Sequence, residues 1–168
     1  MKCLCFSDTH GSISVMQTAL KLHPDAKVVF FLGDGILDAE YLLAADSSRA
    51  WIMVAGNCDP RSVVIQRNLK YTDSVTLEGM KISLTHGHKY EVKFGLDRLV
   101  YFAEETDSDI VLFGHTHVPY EKFIRLPSGK ELRFFNPGSA QESGYDAPSY
   151  GVLTIKDGGV LFSHGYIT

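Results

Sequence analysis

Residues 2–11 read KCLCFSDTHG, a short apolar run that stops at a group of polar residues and a glycine. Four further runs of this kind follow along the chain. They are residues 28–32 before Gly33-Asp34-Gly35, 51–55 before Gly56-Asn57-Cys58-Asp59, 82–84 before Thr85-His86-Gly87-His88, and 110–113 before Gly114-His115-Thr116-His117. Short apolar runs that end at glycine are typical of strands buried on both faces.

Helical patterns lie between these runs, over residues 12–22, 36–45 and 94–105, and Ser12 or Ser14 is the expected cap of the first. Strands that alternate with helices predict right-handed βαβ units and a largely parallel sheet. Ligands of such sheets bind beyond the carboxyl ends of the strands. Because all five polar groups follow strand ends, we expect the fold to gather them at one edge.

The last third of the chain has a different pattern. Residues 120–126 and 130–135 flank Pro127-Ser128-Gly129, and residues 150–155 and 160–166 flank a Gly-rich turn at 156–159. These two hairpin signals predict antiparallel strands in a mixed second sheet that packs on the first. No linker or repeat divides the chain, so residues 1–168 are predicted to form a single domain.

The charge and the apolar pattern exclude several classes of protein. A net charge of −4 argues against sequence-independent nucleic-acid binding, which needs many Lys and Arg side chains. No apolar run approaches the roughly 20 residues of a membrane span, and we find no secretory signal after Met1. Three cysteines cannot all pair, and Cys3 and Cys5 read as core residues, which favours a reducing, cytoplasmic compartment.

The polar groups together offer carboxylate, amide and imidazole donors. The candidate ligands are Asp8, His10, Asp34, Asn57, His86, His115 and His117. This mixture suits Mn, Fe, Co, Ni or Zn better than Mg, and it is too large for one tetrahedral ion with an open position. Two divalent ions fit if a carboxylate bridges them. Such a pair attracts a phosphoryl group and activates water near neutral pH, so no protein nucleophile is required.

Other polar residues fall outside these groups. His23 and His164 read as surface or structural residues, and residues 136–139 (NPGS) form either a simple turn or a segment that closes the site. Aromatic side chains are expected to wall the substrate pocket, and the candidates are Tyr90, Phe94, Tyr120 and Tyr145.

The chain resembles the calcineurin-like metallophosphoesterase superfamily in an ordered set of motifs. They are Asp8-x-His10, Gly33-Asp34, Gly56-Asn57-x-Asp59, Thr85-His86-Gly87-His88 and Gly114-His115-Thr116-His117. The small size, Cys58 and residues 136–139 are similar to the small bacterial and archaeal phosphodiesterase branch. The resemblance implies a four-layer α-β-β-α sandwich of two facing mixed sheets flanked by helices.

The resemblance also implies roles for single residues. Asp8, His10 and His117 would hold one metal ion, Asn57, His86 and His115 the other, with Asp34 bridging. Manganese is the favoured metal, and a metal-bridging hydroxide would attack phosphorus in line. Asp59 would orient a ligand. Many members carry His at the position of Cys58, where it steers or protonates the leaving group. The absence of this His favours diesters as substrates, and His88 is the expected substitute acid.

A non-catalytic alternative remains, because the superfamily includes a retromer subunit that binds proteins after losing metal ligands. All seven ligand positions are filled in this chain, which favours an enzyme with a small phosphoester substrate. Gathered Asp and His side chains destabilise a fold unless a metal offsets them. The sequence leaves homo-oligomer formation open.

Overall fold

The computed structural model describes residues 1–142 and 147–167. The strands are β1 (Lys2–Phe6), β2 (Val28–Phe31), β3 (Ala50–Met53), β4 (Thr72–Leu77), β5 (Met80–Thr85), β6 (Ile110–Leu112), β7 (Pro119–Arg125), β8 (Glu131–Pro137), β9 (Ser149–Lys156) and β10 (Gly159–Tyr166). The helices are α1 (Ser14–Leu22), α2 (Ile36–Ala45), α3 (Arg61–Gln66) and α4 (Asp97–Glu105), and a 3-10 turn covers His88–Tyr90.

The strands form two mixed sheets of five strands each. The first has the order β10-β9-β1-β2-β3, in which β1, β2 and β3 are parallel and β9 is antiparallel to β1. The second has the order β4-β5-β6-β8-β7, in which β5, β6 and β8 are parallel and the two edge strands are antiparallel. Each sheet therefore presents a set of parallel carboxyl ends.

Successive side chains of β1 point to opposite faces of the sheet, and both faces are buried, which explains why its apolar run is continuous. Cys3 and Cys5 lie in a core that also contains Leu112 of the second sheet, so this core fills the space between the two sheets. Leu4 and Phe6 point the other way, into a core shared with α1 and α2. A strand buried on both faces needs apolar side chains at every position.

The second sheet is covered in the same way by α4. Ile110 and Leu112 face the core between the sheets, whereas Val111 faces Leu99 and Phe102 of α4. The predicted four-layer sandwich of two facing mixed sheets flanked by helices is thus confirmed. None of the helices in the described ranges has the length and apolarity that crossing a bilayer requires.

The expectation that the first five runs share one largely parallel sheet is wrong. β5 and β6 lie in the second sheet beside β8. The hairpin β9–β10, expected in the second sheet, instead joins the first through β9 and β1. Apolar runs report that both faces of a strand are buried, but the partners of its edges depend on the whole fold.

The expected cap of α1 is also wrong. The N-cap position is Ile13, which makes no side-chain cap hydrogen bond in the described chain. Ser14 Oγ donates instead to Glu142 Oε1 at 2.7 Å, and Ser12 Oγ lies 3.3 Å from Ser14 Oγ. Both hydroxyls therefore have other partners than the helix N-terminus.

Two further boundaries differ from the sequence pattern. α4 begins at Asp97 rather than at residue 94, because Gly95 has a φ of +150°, which no helical residue adopts. The pattern also misses α3 and the edge strand β4, which is a mixture of polar and apolar residues and has no fully buried position.

Candidate metal centre

The expected ligands come from both sheets and meet at one place. Asp8 and His10 follow β1, Asp34 follows β2, Asn57 follows β3, His86 follows β5, and His115 and His117 follow β6. Close contacts cross from sheet to sheet: His86 Nε2 lies 3.2 Å from Asp34 Oδ2 and 3.9 Å from Asp8 Oδ1. The carboxyl ends of the two sets of parallel strands thus converge.

Asp8 has one carboxylate oxygen that is held and one that is free. Oδ2 accepts hydrogen bonds from Ser7 Oγ at 2.6 Å and from the backbone N–H of His115 at 3.0 Å. Oδ1 is buried and has no hydrogen-bond partner among the described residues. It lies 3.2 Å from His117 Nε2 and 3.8 Å from His10 Nε2. A buried carboxylate oxygen surrounded by imidazoles fits a bound cation.

A second group of donors surrounds His86. Its Nδ1 donates to the backbone carbonyl oxygen of Leu32 at 2.8 Å, because a carbonyl oxygen can only accept. In the neutral ring this bond leaves the lone pair on Nε2, which lies 3.1 Å from Asn57 Oδ1. Donor atoms of Asp34, His86 and His115 all lie within 4.8 Å of one another.

Asp34 connects the two groups. Besides its place beside His86 and His115, it has a carboxylate oxygen within 4.8 Å of His10 and of Cys58 Sγ. Asp8, His10 and His117 form the other cluster of this spacing. The predicted ligands are therefore arranged as two neighbouring sets with a carboxylate between them.

The charges at the second group favour a cation. Burial lowers the pKa of His86, but the hydrogen bond to Asp34 and the charges of Asp8 and Asp34 outweigh it, so the pKa is raised. Burial raises the pKa of Asp34, but the bond from His86 and the backbone N–H of Cys58 outweigh it and hold the pKa well below its usual range. Positive charge at His86 Nε2 is thus stabilised, as a metal ion there would be.

The two histidines that follow β6 have opposite electrostatic environments. Burial, then the charges of His86 and Lys93, lower the pKa of His115 to about 4, so its imidazole is neutral near pH 7. The close contact with the Asp8 carboxylate, whose Oδ1 lies 3.2 Å from Nε2, raises the pKa of His117, against the effect of burial. A neutral imidazole is the form that coordinates metal ions.

The backbone at the site is unusual. Five of the seven predicted ligands have positive φ: Asp8 (56°), His10 (46°), Asp34 (57°), His115 (68°) and His117 (62°). Left-handed conformations are uncommon outside glycine and cost about 1–3 kcal/mol where they are strained, although Asp and His tolerate them better than most residues. They concentrate at functional sites, where the surrounding contacts hold the chain in place.

Glycines beside the ligands allow the loops to approach each other. A Cβ atom on Gly56 would lie 2.1 Å from Asp34 Oδ1, and one on Gly114 would lie 2.0 Å from Ser7 Oγ and 2.9 Å from Asp8 Oδ2. Any side chain at these two positions would therefore displace the carboxylates.

The carboxylate of Asp59 binds backbone N–H groups and is not one of the clustered metal-ligand candidates among the described residues. Its Oδ2 accepts from the N–H groups of Asp34 (2.9 Å) and Gly56 (2.7 Å), and its Oδ1 from those of Gly35 (2.8 Å) and Ile36 (2.9 Å). One carboxylate thus fastens the loop of Asp34 and the start of α2 to the loop that carries Asn57. This geometry is that of a positioning residue, in line with the predicted orientation of a ligand.

Asp38 plays a similar part, which the sequence analysis misses. Its Oδ2 accepts from Thr9 Oγ1 at 2.6 Å and from the backbone N–H of Gly11 at 2.9 Å, on both sides of His10. The sequence carries no distinct signal for this contact, because an Asp in the first turn of a helix is common for electrostatic reasons alone.

Residues 136–139 brace the site, so the second of their two interpretations holds. Asn136 Nδ2 donates to the carbonyl oxygen of Gly114 at 2.9 Å and to Thr116 Oγ1 at 3.0 Å, beside His115. Ser139 Oγ donates to the carbonyl oxygen of Asp8 at 2.8 Å. The segment ties the loop after β1 to the loop after β6.

His88, the expected substitute acid, lies at the edge of the site. Its ring centroid is 5.4 Å from that of His86, 6.2 Å from that of His115 and 5.8 Å from that of Tyr71. Its Nδ1 is buried without a hydrogen-bond partner in the described chain. Burial, then the charge of His86, lower the pKa of His88.

Cys58 is exposed beside the ligands. Its backbone N–H donates to Asp34 Oδ1 at 2.7 Å, and Asn57 Nδ2 lies 3.2 Å from its Sγ. Burial, then the hydrogen bond to Asp34, raise the pKa of the thiol, so it is protonated near neutral pH in the absence of a metal. The spacing of Sγ from His10 and Asp34 is nevertheless that of a donor.

The remaining expected residues are placed as follows. His23 Nε2 lies 3.1 Å from Tyr150 Oη, and His164 Nε2 donates to the carbonyl oxygen of Asn136 at 2.8 Å, so both are structural. Of the expected pocket walls, Tyr120 lines an apolar cavity, Tyr90 and Phe94 line a separate one of about 150 Å³, and Tyr145 lies outside the described residues.

Fold and site together define a class, a four-layer α/β sandwich with clustered carboxylate and imidazole donors that could hold metal ions. The profile of the calcineurin-like phosphoesterase superfamily domain matches residues 1–158. The chain is 30% identical over 159 residues to YsnB, a probable metallophosphoesterase of Bacillus subtilis. The alignment covers 94% of this chain and 86% of that protein. The chain belongs to the calcineurin-like phosphoesterase superfamily.

Solved structures show the same fold. A predicted phosphoesterase from Streptococcus pneumoniae matches with a TM-score of 0.78 and 26% identity, over 98% of this chain and 88% of that chain. Vps29 of Entamoeba histolytica in complex with Zn²⁺ matches with a TM-score of 0.71 and 25% identity, over 99% of each chain.

Proposed function

We propose that the protein is a phosphodiesterase that works with two divalent metal ions. The observation that carries the proposal is the position of Asp34 between two sets of donors. Its carboxylate lies within 4.8 Å of donors of His86 and His115 on one side and of His10 on the other. Two such sets, each with an imidazole and a shared carboxylate, fit a pair of ions better than one.

The proposed ligands follow these sets. Asp8, His10 and His117 would hold one ion, and the other would lie among the side chains around His86. The ligands of that second ion would be Asn57, His86 and His115, with Asp34 shared by both ions.

When bound, two divalent ions supply positive charge that polarises a phosphoryl group and makes water nucleophilic near neutral pH. The chain's residues prepare the site for this chemistry. Leu32 keeps the lone pair of neutral His86 on Nε2 through its bond to Nδ1, and Ser7 leaves Asp8 Oδ1 free by occupying Oδ2. Two carboxylates against two dications leave a net positive charge, which suits an anionic substrate.

A cavity beside the ligands offers room for the reacting group. It has a volume of about 230 Å³, and its lining includes His10, Asp34, Cys58 and Asp59. Among the described residues that line this cavity, the only imidazole is that of His10, which belongs to the proposed ligand set. Cys58 occupies the position at which many members of the superfamily have a proton-donating histidine. Alkyl monoesters need a proton on the leaving group more than activated diesters do, so this lining favours diesters.

Manganese is the proposed metal, with Ni, Fe, Co or Zn as substitutes. Mixed carboxylate, amide and imidazole donors without thiolate are typical of these ions rather than of Mg or Ca. The Zn²⁺ bound by the Entamoeba histolytica neighbour supports a divalent transition metal on this fold.

The alternative is a non-catalytic scaffold of the same fold. The filled ligand positions and the buried, unpartnered Asp8 Oδ1 argue for metal binding, because without a cation such an oxygen costs stability.

A cytoplasmic location is proposed from the three unpaired thiols of the described chain. A small phosphoester remains the proposed partner, and nucleic-acid binding that ignores sequence remains unexpected.

Hydrolysis of bis(p-nitrophenyl) phosphate by Mn-loaded protein tests the function. We expect activity that chelation abolishes and Mn²⁺ restores, and Asp34→Asn should lose most of it, because the shared carboxylate loses its charge. Asp25→Asn makes the same chemical change at an exposed position and should retain wild-type activity. Full activity after complete removal of metal, or in Asp34→Asn, would contradict the proposal.

A further inference from the structure

A second cavity of about 250 Å³ opens beside the ligand loops and has apolar walls. We call it the apolar pocket; its main walls are Val92, Leu96, Phe113, Thr116, Val118 and Tyr120. None of the residues that line it carries a charge. The hydroxyl oxygen of Thr116 is already engaged, because it accepts from Asn136 Nδ2 at 3.0 Å and from the backbone N–H of Val118 at 3.3 Å.

The walls of the apolar pocket are continuous with the metal loops. Thr116 stands between the proposed ligands His115 and His117, and Phe113 ends the apolar run before them. Val92, which also lines the pocket, packs against Gly87, where a Cβ atom would lie only 2.9 Å from Val92 Cγ2. Since Gly87 follows His86 directly, the pocket and the ligands share one backbone frame.

The shape and surface of the apolar pocket match an aromatic ring. Phe113 is 2% exposed, and its ring meets that of Tyr120 edge-on, with centroids 6.3 Å apart and an interplanar angle of 66°. Tyr120 is 38% exposed, so part of its ring remains free to contact a third aromatic group. A cavity of roughly 150 Å³ holds a benzene molecule, so this pocket is large enough for an aryl group or a nucleobase.

We propose that the apolar pocket binds an aromatic substituent of the phosphoester substrate while the phosphoryl group lies at the metal centre. The inference rests on the proposed function, because it needs a phosphoryl group at the ligands. It extends that function to a substrate class, diesters with an aryl or nucleobase substituent. The uncharged walls exclude a second phosphate as the occupant of this pocket.

Binding of two phosphonates to the Mn-loaded protein, measured by calorimetry, separates the pocket from the metal centre. Methylphosphonate and phenylphosphonate offer the same anionic group, but only the second carries a ring. Burial of a Phe-sized group corresponds to about tenfold or more in affinity, so we expect wild type to bind phenylphosphonate at least tenfold more tightly.

Variants of the pocket walls test its location. Val118 is 59% exposed, so Val118→Trp can fill the pocket without disturbing the core, and Tyr120→Ala removes a wall. Both should reduce the preference for phenylphosphonate to less than about threefold and leave methylphosphonate affinity unchanged. Phe123→Ala is the matched control, because Phe123 is an exposed aromatic residue on β7 that packs near Arg133, and its preference should equal that of wild type.

These measurements distinguish a failure of the proposed aromatic subsite from a failure of the proposed phosphodiesterase function. No preference for the ring in wild type, or an unchanged preference in both pocket variants, would overturn the apolar pocket as a subsite even if diesters are hydrolysed. Absence of both phosphonate binding and diester hydrolysis would overturn the proposed function and the subsite together.

Discussion

Replacing Asp59 by Asn should loosen the junction of the two loops that present Asp34 and Asn57. In the wild type the two carboxylate oxygens accept four backbone N–H groups at 2.7–2.9 Å. Asn keeps one acceptor oxygen, which can serve one pair of these donors. Its NH₂ group would face the other pair, so two hydrogen bonds to a charged acceptor are lost.

The expected magnitude follows from these two bonds. A hydrogen bond to a charged group contributes about 1.5–3 kcal/mol, and the lower end applies because Asp59 is only partly buried. Asp59→Asn should therefore lower the free energy of unfolding of the metal-free protein by about 3 kcal/mol. For a domain of this size, that corresponds to a fall in Tm of roughly 6–12 °C. Metal affinity should fall about 10–100-fold, as for other residues that orient ligands.

Thermal unfolding in the presence of chelator measures the first effect, and Mn²⁺ titration by calorimetry measures the second. Asp157→Asn is the control, because Asp157 lies in an exposed turn and its nearest charged partner, Lys156 Nζ, is 3.9 Å away. Its free energy of unfolding should change by less than about 0.5 kcal/mol. A Tm of Asp59→Asn within 2 °C of wild type, combined with unchanged Mn²⁺ affinity, would refute the positioning role (the 2 °C threshold being about 1 kcal/mol).

Two further predictions concern single side chains. His115→Ala should lower kcat/KM for an aryl diester at least about 100-fold, since a direct ligand should matter more than a residue that orients one. His23→Ala should match wild type. Equal losses in the two variants would show that the ligand assignment is wrong. Cys58→Ser should keep most diesterase activity, and Cys58→His should raise monoesterase relative to diesterase activity, by up to roughly 10²–10⁴-fold if the ring protonates the leaving group. An inactive Cys58→Ser that still binds metal would place the thiol in the reaction.

The gathering of the candidate donors at one place could be predicted from the sequence because these residues are tied to local features. Each follows an apolar run directly, so strand and ligand appear together in the chain, as Asp8 does after β1 and His115 after β6. The resemblance, which rests on the order of these motifs, then supplied the assignment of each ligand to an ion. The left-handed backbone of these residues could not be foreseen, since it results from contacts such as that of Ser139 with the carbonyl oxygen of Asp8.

What escaped prediction depends on contacts between distant segments. The division of the strands between two sheets was missed because apolar runs do not identify edge partners, such as β9 for β1. Asp38 was missed because its role appears only when α2 lies beside the loop of His10. The apolar pocket joins Val92 to Tyr120, which no local pattern relates.

The two-metal centre is tested most directly by counting metal ions per chain. Elemental analysis of protein saturated with Mn²⁺ and freed of excess should give two equivalents in wild type, because two donor sets share Asp34. Asp34→Asn should bind fewer, since both ions lose a charged ligand. A single equivalent at saturation in wild type, or two in Asp34→Asn with unchanged affinity, would contradict the account.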